Sequence, residues 1–587
     1  MASDIISLKD VTFSYKGSKR RALDGITLNV KQGECVAILG PTGAGKSTLA
    51  CVMNGTAPRF MDGSLAGDVT VDGLVPAKVG TAQMASRVGL VFGDPDTQLF
   101  GMTVEEDVAF GPANLGLGYE SIMERVGKSI GDMRLAGLER RAPHRLSGGQ
   151  KQATAIAGVY AMLPKIMVLD EPTSMLDPEG KARVFGIVRM LKEQLGVTVV
   201  LIEQEVDDIL TLADRVFVMR SGKFVLSGTP REVFGRVEEL RQAGVRVPQI
   251  VEFGTLIGAA ETPFTIEEAI SAIAPASAEE AVSGVTSAFA SVSEAANPAA
   301  APRASRAAQA DPVVEAVDVE FTYPGGARAL DGVNVTVGRG DFVAIVGQNG
   351  AGKTTLTRHF NGLLRPSSGD IRVLGRSTQG VPTIELCRHV GYVFQNPDEQ
   401  LFCTSVQEEL RFGPTNIGVD PHVTSQRVEE ILGDIGLTKY REVWPKYLTK
   451  GERQRLALAS VVAMDPDVLI VDEPTTGLDW VESLQILDYL ERLRKEQKKT
   501  IIIITHDMNI VSLYAKRVVV MARGRVVGDG TAREIFSQPD LMELACLRRP
   551  PIADLSQALW GEVLLTPAEA AARLLAAKSQ AAGVCSE

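Results

Sequence analysis

Long apolar runs are missing from this chain of 587 residues. None approaches the roughly 18 to 20 residues that cross a bilayer as a helix, so a membrane connection is expected only through another protein. The opening residues, MASDIISLKD, lack the basic and apolar regions of a secretory leader. Cysteine is scarce. The six present include no Cys-x-x-Cys pair, which argues against a clustered-thiol metal site or a disulfide framework and for a reducing cytosol. A basic excess is absent too: 61 Lys and Arg face 72 Asp and Glu, for a formal net charge of -11. Nucleic acid is therefore not the expected partner, because binding its phosphates requires a basic face.

What is present is ordinary globular composition, 45% hydrophobic and 23% charged, at a length that calls for more than one core. The chain also repeats itself. FSYKGSKRRALDGITL (Phe13 to Leu28) returns as FTYPGGARALDGVNV (Phe321 to Val335), and GPTGAGKST (Gly40 to Thr48) returns as GQNGAGKTT (Gly347 to Thr355). Lys46 to Lys353 is an offset of 307, whereas Asp170 to Asp472 is 302, so the first copy carries a five-residue insertion, between Asn54 and Gly67. Each copy ends in a similar tail, Pro248 to Ile273 and Pro551 to Leu575. Between the copies, Ala274 to Asp311 is mostly Ala, Ser, Pro and Glu and reads as a flexible linker. The expected domains are residues 1–273, with a C-terminal subdomain from about 229, and 312–576, with one from about 531, followed by a tail over 577–587. Apolar runs such as ECVAILG, IMVLD, VTVVLIE and TIIIIT read as buried parallel strands alternating with helices, which makes both domains α/β.

The pattern Gly-x-x-x-x-Gly-Lys-Ser/Thr occurs in full in each copy, after an apolar strand and before a helix-like segment. Gly40, Gly43 and Gly45, and Gly347, Gly350 and Gly352, let backbone N–H groups turn inward around phosphates, aided by the helix N-terminus. Lys46 and Lys353 are expected on the β- and γ-phosphates, Ser47 and Thr354 on Mg²⁺, with Thr48 and Thr355 completing the loops. Asp170 and Asp472 end apolar strands, where a carboxylate can reach Mg²⁺ through water. Glu171 and Glu473 follow directly and are placed to orient or deprotonate an attacking water. The expected cofactors are ATP and Mg²⁺.

LSGGQ (Leu146 to Gln150), some twenty residues ahead of a strand and Asp-Glu-Pro-Thr, resembles the nucleotide-binding domains of ABC ATPases, and the resemblance spans nearly the whole chain outside the linker. It implies two P-loop NTPase domains, each with a helical signature subdomain, that pair head to tail around two ATPs. Each ATP would lie between one phosphate loop and the Ser147, Gly148, Gly149 and Gln150 type of signature from the other domain. Tyr15 and Tyr323 match the adenine-stacking aromatic of that family. The same resemblance makes the two sites unequal. The second copy has Gln395 in VFQNPDEQLF and His506 in IIIITHD, where the first has Gly93 and Gln204; its own signature is the altered LTKGE (Leu448 to Glu452). One competent site is then expected on Lys353, Thr354, Gln395, Asp472, Glu473 and His506 with the first signature, Gln395 also sensing Mg²⁺. The other, which retains Glu171, is expected to be weak. There Lys450 and Glu452 would bring bulk and negative charge towards a triphosphate.

NPDEQLFCTSVQEELRFGPTNIG (Asn396 to Gly418) and DPDTQLFGMTVEEDVAFGPANLG (Asp94 to Gly116) closely resemble the ATPases of energy-coupling factor importers, which take up vitamins, vitamin precursors, cobalt or nickel. That implies a peripheral protein on the cytoplasmic face of the membrane. Its implied partners are a transmembrane scaffold, whose coupling helices dock around Gln98 and Gln400, and a small substrate-capture membrane protein. Two rivals are a tandem sugar-importer ATPase, which lacks this block, and a soluble ABC protein of the ribosome. The latter has a long charged linker, whereas residues 274–311 hold two arginines and no lysine.

Overall fold

The structure, a computed structural model, describes residues 4–273 and 311–584; the expected linker lies outside the described residues, apart from Asp311. The described residues form two compact units, built on the first and second repeat.

In the first unit, β1 (Asp4–Tyr15), β2 (Leu23–Lys31) and β4 (Gly63–Val71) form an antiparallel sheet in the order β2-β1-β4. A second sheet joins β3 (Cys35–Leu39), β5 (Val88–Val91), β6 (Ile166–Asp170), β7 (Thr198–Ile202), β8 (Arg215–Arg220) and β9 (Lys223–Gly228) in the order β5-β6-β7-β3-β8-β9. All its neighbours are parallel except the β8–β9 edge pair. CVAIL and TVVLI are buried at every position, as expected of strands covered on both faces. β-Branched side chains dominate these strands and pack well on a pleated surface.

The second unit repeats this plan. β10 (Pro312–Thr322), β11 (Arg328–Gly338), β13 (Ser368–Val373) and β14 (Arg376–Ser377) form one sheet. β12 (Phe342–Val346), β15 (Val390–Val393), β16 (Val468–Asp472), β17 (Thr500–Ile504), β18 (Arg517–Ala522) and β19 (Arg525–Gly530) form the other, in the order β15-β16-β17-β12-β18-β19. In each unit the phosphate-loop strand sits beside the strand that ends in the switch residue, which in turn pairs with the strand ending in Asp-Glu. Their C-terminal ends open on one edge, where ligands of parallel α/β sheets bind.

A helical layer lies between β5 and β6 in sequence: Val104–Asn114, Tyr119–Asp132 and the signature helix Gly148–Tyr160, matched by Val406–Asn416, Pro421–Asp434 and Lys450–Val462. Thr103 and Ser405 cap the first helix of each set by accepting from Glu106 N–H and Glu408 N–H. Each tail holds two helices, Gln249–Leu256 and Ile266–Ile273 in the first repeat and Pro551–Trp560 and Pro567–Val584 in the second.

Gly40 and Gly347 make the turn from strand to phosphate loop at φ 146° in both units, a region that side chains disfavour. A methyl group there would run into the carbonyl oxygen of Met219 or Met521. Gly347→Ala is therefore expected to lower the unfolding temperature of the second unit and to abolish ATP binding there, checked by calorimetry and nucleotide titration in the full chain.

Candidate nucleotide sites

The helices after the phosphate loops, Lys46–Asn54 and Lys353–Phe360, begin at Gly45 and Gly352 in left-handed conformation and carry no side-chain N-cap. Their first-turn N–H groups thus remain available to an anion. The buried Lys46 ammonium lies over its own loop, donating to Gly40 O at 2.7 Å and Pro41 O at 3.1 Å. Lys353 does the same to Gly347 O at 2.7 Å and Gln348 O at 3.0 Å. A lysine so placed occupies the rim that phosphate oxygens would share. Gly43 and Gly350, both at positive φ, have open space where a side chain would start.

At the strand ends, Thr354 donates to Asp472 Oδ2 at 2.9 Å. Ser47 makes the same kind of bond to Asp170, whose carboxyl burial pushes up to about 6. Asp170 Oδ1 is buried without a hydrogen-bond partner. Hydroxyl plus carboxylate is a hard oxygen donor set, and an orphan buried carboxylate oxygen suits a cation, so these residues fit Mg²⁺. Gln395 is exposed and Gly93 has no side chain to offer. A Cβ at position 93 would lie 2.8 Å from Glu171 O, so the first repeat's loop runs closer to its strand end than a glutamine would tolerate.

Glu171 and Glu473 both adopt left-handed backbone, at φ 50° and 49°, which is uncommon for glutamate and turns each carboxylate back over the loop. Their partners differ. His506 Nδ1 lies 3.0 Å from Glu473 Oε1 and 2.9 Å from Oε2, and Thr476 donates to Oε2 at 3.2 Å. Burial works against ionising Glu473, but His506, Lys353 and Thr476 outweigh it and hold the carboxyl below its usual range. Glu171 instead accepts from the Gln204 amide at 2.8 Å and lies 3.5 Å from the Lys46 ammonium. Structure thus brings the expected phosphate lysine, strand-end pair and switch residue together in each unit, with imidazole at one switch and amide at the other.

Tyr15 and Tyr323 hydrogen-bond through their hydroxyls to Thr48 and Thr355, at 2.8 Å and 3.1 Å, and stand edge-on to Phe13 and Phe321. Both rings are about one-third exposed, at 38% and 37%, which leaves one side open beside the loop.

The signature turns are capping boxes. Ser147 accepts from Gln150 N–H at 3.3 Å while the Gln150 side chain accepts from Ser147 N–H at 3.0 Å. The serine O–H remains able to donate to a phosphate. Gly149 packs so closely on Gly180 that a Cβ would lie 2.7 Å from its Cα. The altered signature keeps the cap: Thr449 accepts from Glu452 N–H, and Glu452 accepts from Thr449 N–H at 2.8 Å. The Glu452 carboxylate thus fills the cap position that the Gln150 amide fills in the first repeat. Lys450 also finds room that the sequence did not suggest, because its ammonium lies over Gly477, where the first repeat has Met175.

One buried acid escaped the motif search. Glu203, just before Gln204, is 1% exposed and accepts from Thr173 Oγ1 at 2.6 Å, Thr173 N–H at 3.2 Å and Gln204 N–H at 3.1 Å. The second repeat has Thr505 there. Only its place in an otherwise apolar strand end, VVLIE, hinted at burial. Burial pushes its carboxyl from 4.5 up to about 7. A carboxyl raised on folding favours the folded state below its unfolded pKa and loses that contribution as pH climbs through the folded one. Wild-type protein should therefore lose stability between pH 4.5 and 7, on the order of 3 kcal/mol at about 1.4 per unit. Glu203→Gln should flatten that slope, read from unfolding temperatures at pH 5 and pH 8.

The ABC transporter family model matches residues 23–174 and 330–476. A protein of Caldanaerobacter subterraneus named as an ABC transporter ATP-binding protein is 40% identical over 96% of this chain and 98% of its own. One of the same designation from Methanosarcina mazei is 38% identical over 94% and 93%. Among solved structures, cbiO1 of Clostridium perfringens, described as part of the ABC transporter complex cbiONQ, is 37% identical over 42% of this chain and all of its own, with a TM-score of 0.38. Two phosphate loops, two strand-end Asp-Glu pairs and near full-length similarity to such relatives make this chain a member of the ABC transporter ATP-binding family, a tandem ATP hydrolase.

Proposed function

We propose that the chain is the motor of an energy-coupling factor importer, a peripheral protein of the cytoplasmic membrane face that drives micronutrient uptake through a transmembrane scaffold and a small capture protein. The observation that carries this reading is the doubled QLF…FGP block and what its residues do. Gln98 and Gln400 each hydrogen-bond within their own unit. Gln98 accepts from Phe92 N–H at 3.1 Å and donates to Leu90 O at 3.1 Å; Gln400 donates to Ala457 O at 2.8 Å and Ser460 Oγ at 3.0 Å. Each brace holds its loop in shape, and beside it stands an exposed aromatic pair. Phe100 and Phe110 are 61% and 49% exposed, Phe402 and Phe412 63% and 46%, each pair edge to face. Matched exposed aromatics on both repeats suit two similar coupling helices. No described helix is long and apolar enough to cross a membrane, so this contact would be the route to one.

In this reading the domains pair head to tail around two ATPs, with residues 274–311 as tether and Tyr15 and Tyr323 stacking on adenine. The site on Lys353, Thr354, Asp472, Glu473 and His506, completed by Ser147, Gly148, Gly149 and Gln150, hydrolyses ATP. Thr354, Asp472 and Gln395 are the residues that would hold Mg²⁺, which when bound would supply neutralisation of phosphate charge. Glu473, kept ionised beside His506, orients and deprotonates the water, while His506 holds the carboxylate and faces the γ-phosphate. The site on Lys46, Ser47, Asp170 and Glu171 lacks an imidazole and a loop glutamine and turns over slowly. Losing one pre-organised donor typically lowers rates by about 10²- to 10³-fold.

Glu473→Gln should therefore remove nearly all turnover and Glu171→Gln only a minor part, measured as phosphate release; equal losses overturn the asymmetry. Pull-down from detergent-solubilised membranes should recover a scaffold-like and a small multi-span protein, and Phe100→Asp with Phe402→Asp should abolish that recovery. Ribosomal proteins or sugar-importer subunits in their place overturn the importer reading.

A further inference from the structure

The two magnesium-facing carboxylates are not held alike. Asp472 Oδ2 accepts two hydrogen bonds, from Thr354 at 2.9 Å and from the Tyr392 phenol at 2.8 Å. Tyr392 is 7% exposed and Asp472 3%, so the bond is shielded from water. The ring cannot swing away, because it sits on β15 opposite Ile470 and is packed against Phe394 at 5.2 Å. Leu90 fills the same register in the first repeat, opposite Val168 on β6, and can donate nothing. Asp170 is left with its serine partner and one buried oxygen without any. With both donors on one oxygen, Asp472 has its rotation fixed and its other oxygen free.

We infer that Tyr392 is a positioning residue of the second repeat's magnesium site, pre-orienting Asp472 so that this repeat takes up Mg²⁺–ATP at lower Mg²⁺ than the first. The inference rests on reading Asp472 and Thr354 as the groups that face Mg²⁺. Outer groups that orient metal-facing ligands are typically worth about 10- to 100-fold in metal affinity. Contact through an intervening water puts Tyr392 near the lower figure.

The test uses the full chain with Lys46→Ala, so that the second loop reports alone, and follows binding of fluorescent methylanthraniloyl-ATP against free Mg²⁺. Tyr392→Phe keeps the ring and should raise the half-saturating Mg²⁺ about 10-fold, with binding in excess EDTA unchanged. In the Lys353→Ala chain, Leu90→Tyr should lower the first site's midpoint. An unmoved midpoint for Tyr392→Phe, or an equal loss of affinity in EDTA, overturns the inference. Thr354→Ala separates it from its premise: if that change also leaves the midpoint in place, the magnesium reading of the pair fails. If Thr354→Ala shifts the midpoint and Tyr392→Phe does not, only Tyr392 loses its role. Equal turnover losses in the two glutamate variants would leave this result untouched.

Discussion

An Asp-Glu pair at the end of a fully buried parallel strand is the constraint around which each unit is organised. IMVLD and VLIVD bury every apolar side chain and then place two carboxylates where desolvation opposes their charge. Such groups persist only when neighbours compensate them. The compensation comes from the loop hydroxyl, the loop lysine and the residue ending the adjacent strand. That requirement explains why the phosphate-loop, switch and Asp-Glu strands must be neighbours. It also explains the left-handed backbone at Glu171 and Glu473, a strained turn that brings each carboxylate back towards its cation.

The two repeats meet this constraint with different chemistry. Around Glu473 stand an imidazole able to carry positive charge, a lysine and a hydroxyl. Around Glu171 stand the Lys46 ammonium, a neutral amide and, close behind, a second acid in Glu203. Beside Glu171, burial pushes the Glu203 carboxyl up to about 7. That difference in the groups around each glutamate is a physical basis for the asymmetry proposed above. It operates within each unit by itself.

Much of this was legible in the sequence because it depends on local spacing. Apolar runs gave the parallel strands, and Gly-x-x-x-x-Gly-Lys with Asp-Glu named the phosphate and strand-end groups. What spacing could not carry was partnership across the sheet. Tyr392 and Asp472 are eighty residues apart and meet only because β15 and β16 pair in that register. Glu203 and its partner Thr173 are likewise thirty residues apart and meet only at adjacent strand ends. The altered signature holds a further example. The Glu452 carboxylate caps its own helix, because position three of the first turn is a cap that glutamate fills as well as glutamine. Lys450 needed the missing side chain of Gly477, a compensation that no local window contains.

The repeats diverge at the phosphate edge and in the signature turn, LSGGQ against LTKGE, but keep one surface feature alike. The phosphate edge differs at Gly93 and Gln395, Gln204 and His506, Leu90 and Tyr392. The helical layer keeps Phe100 with Phe110 and Phe402 with Phe412 at matched places, braced behind by Gln98 and Gln400. An exposed aromatic pair contributes little to a unit's own core, and leaving it in water is unfavourable. Retaining it twice makes physical sense if both faces are covered in use. Chemistry carries no such symmetry requirement. Under the proposed reading, a motor that gripped alike with both halves while one of them fired would reconcile the matched aromatic pairs with the unlike strand ends.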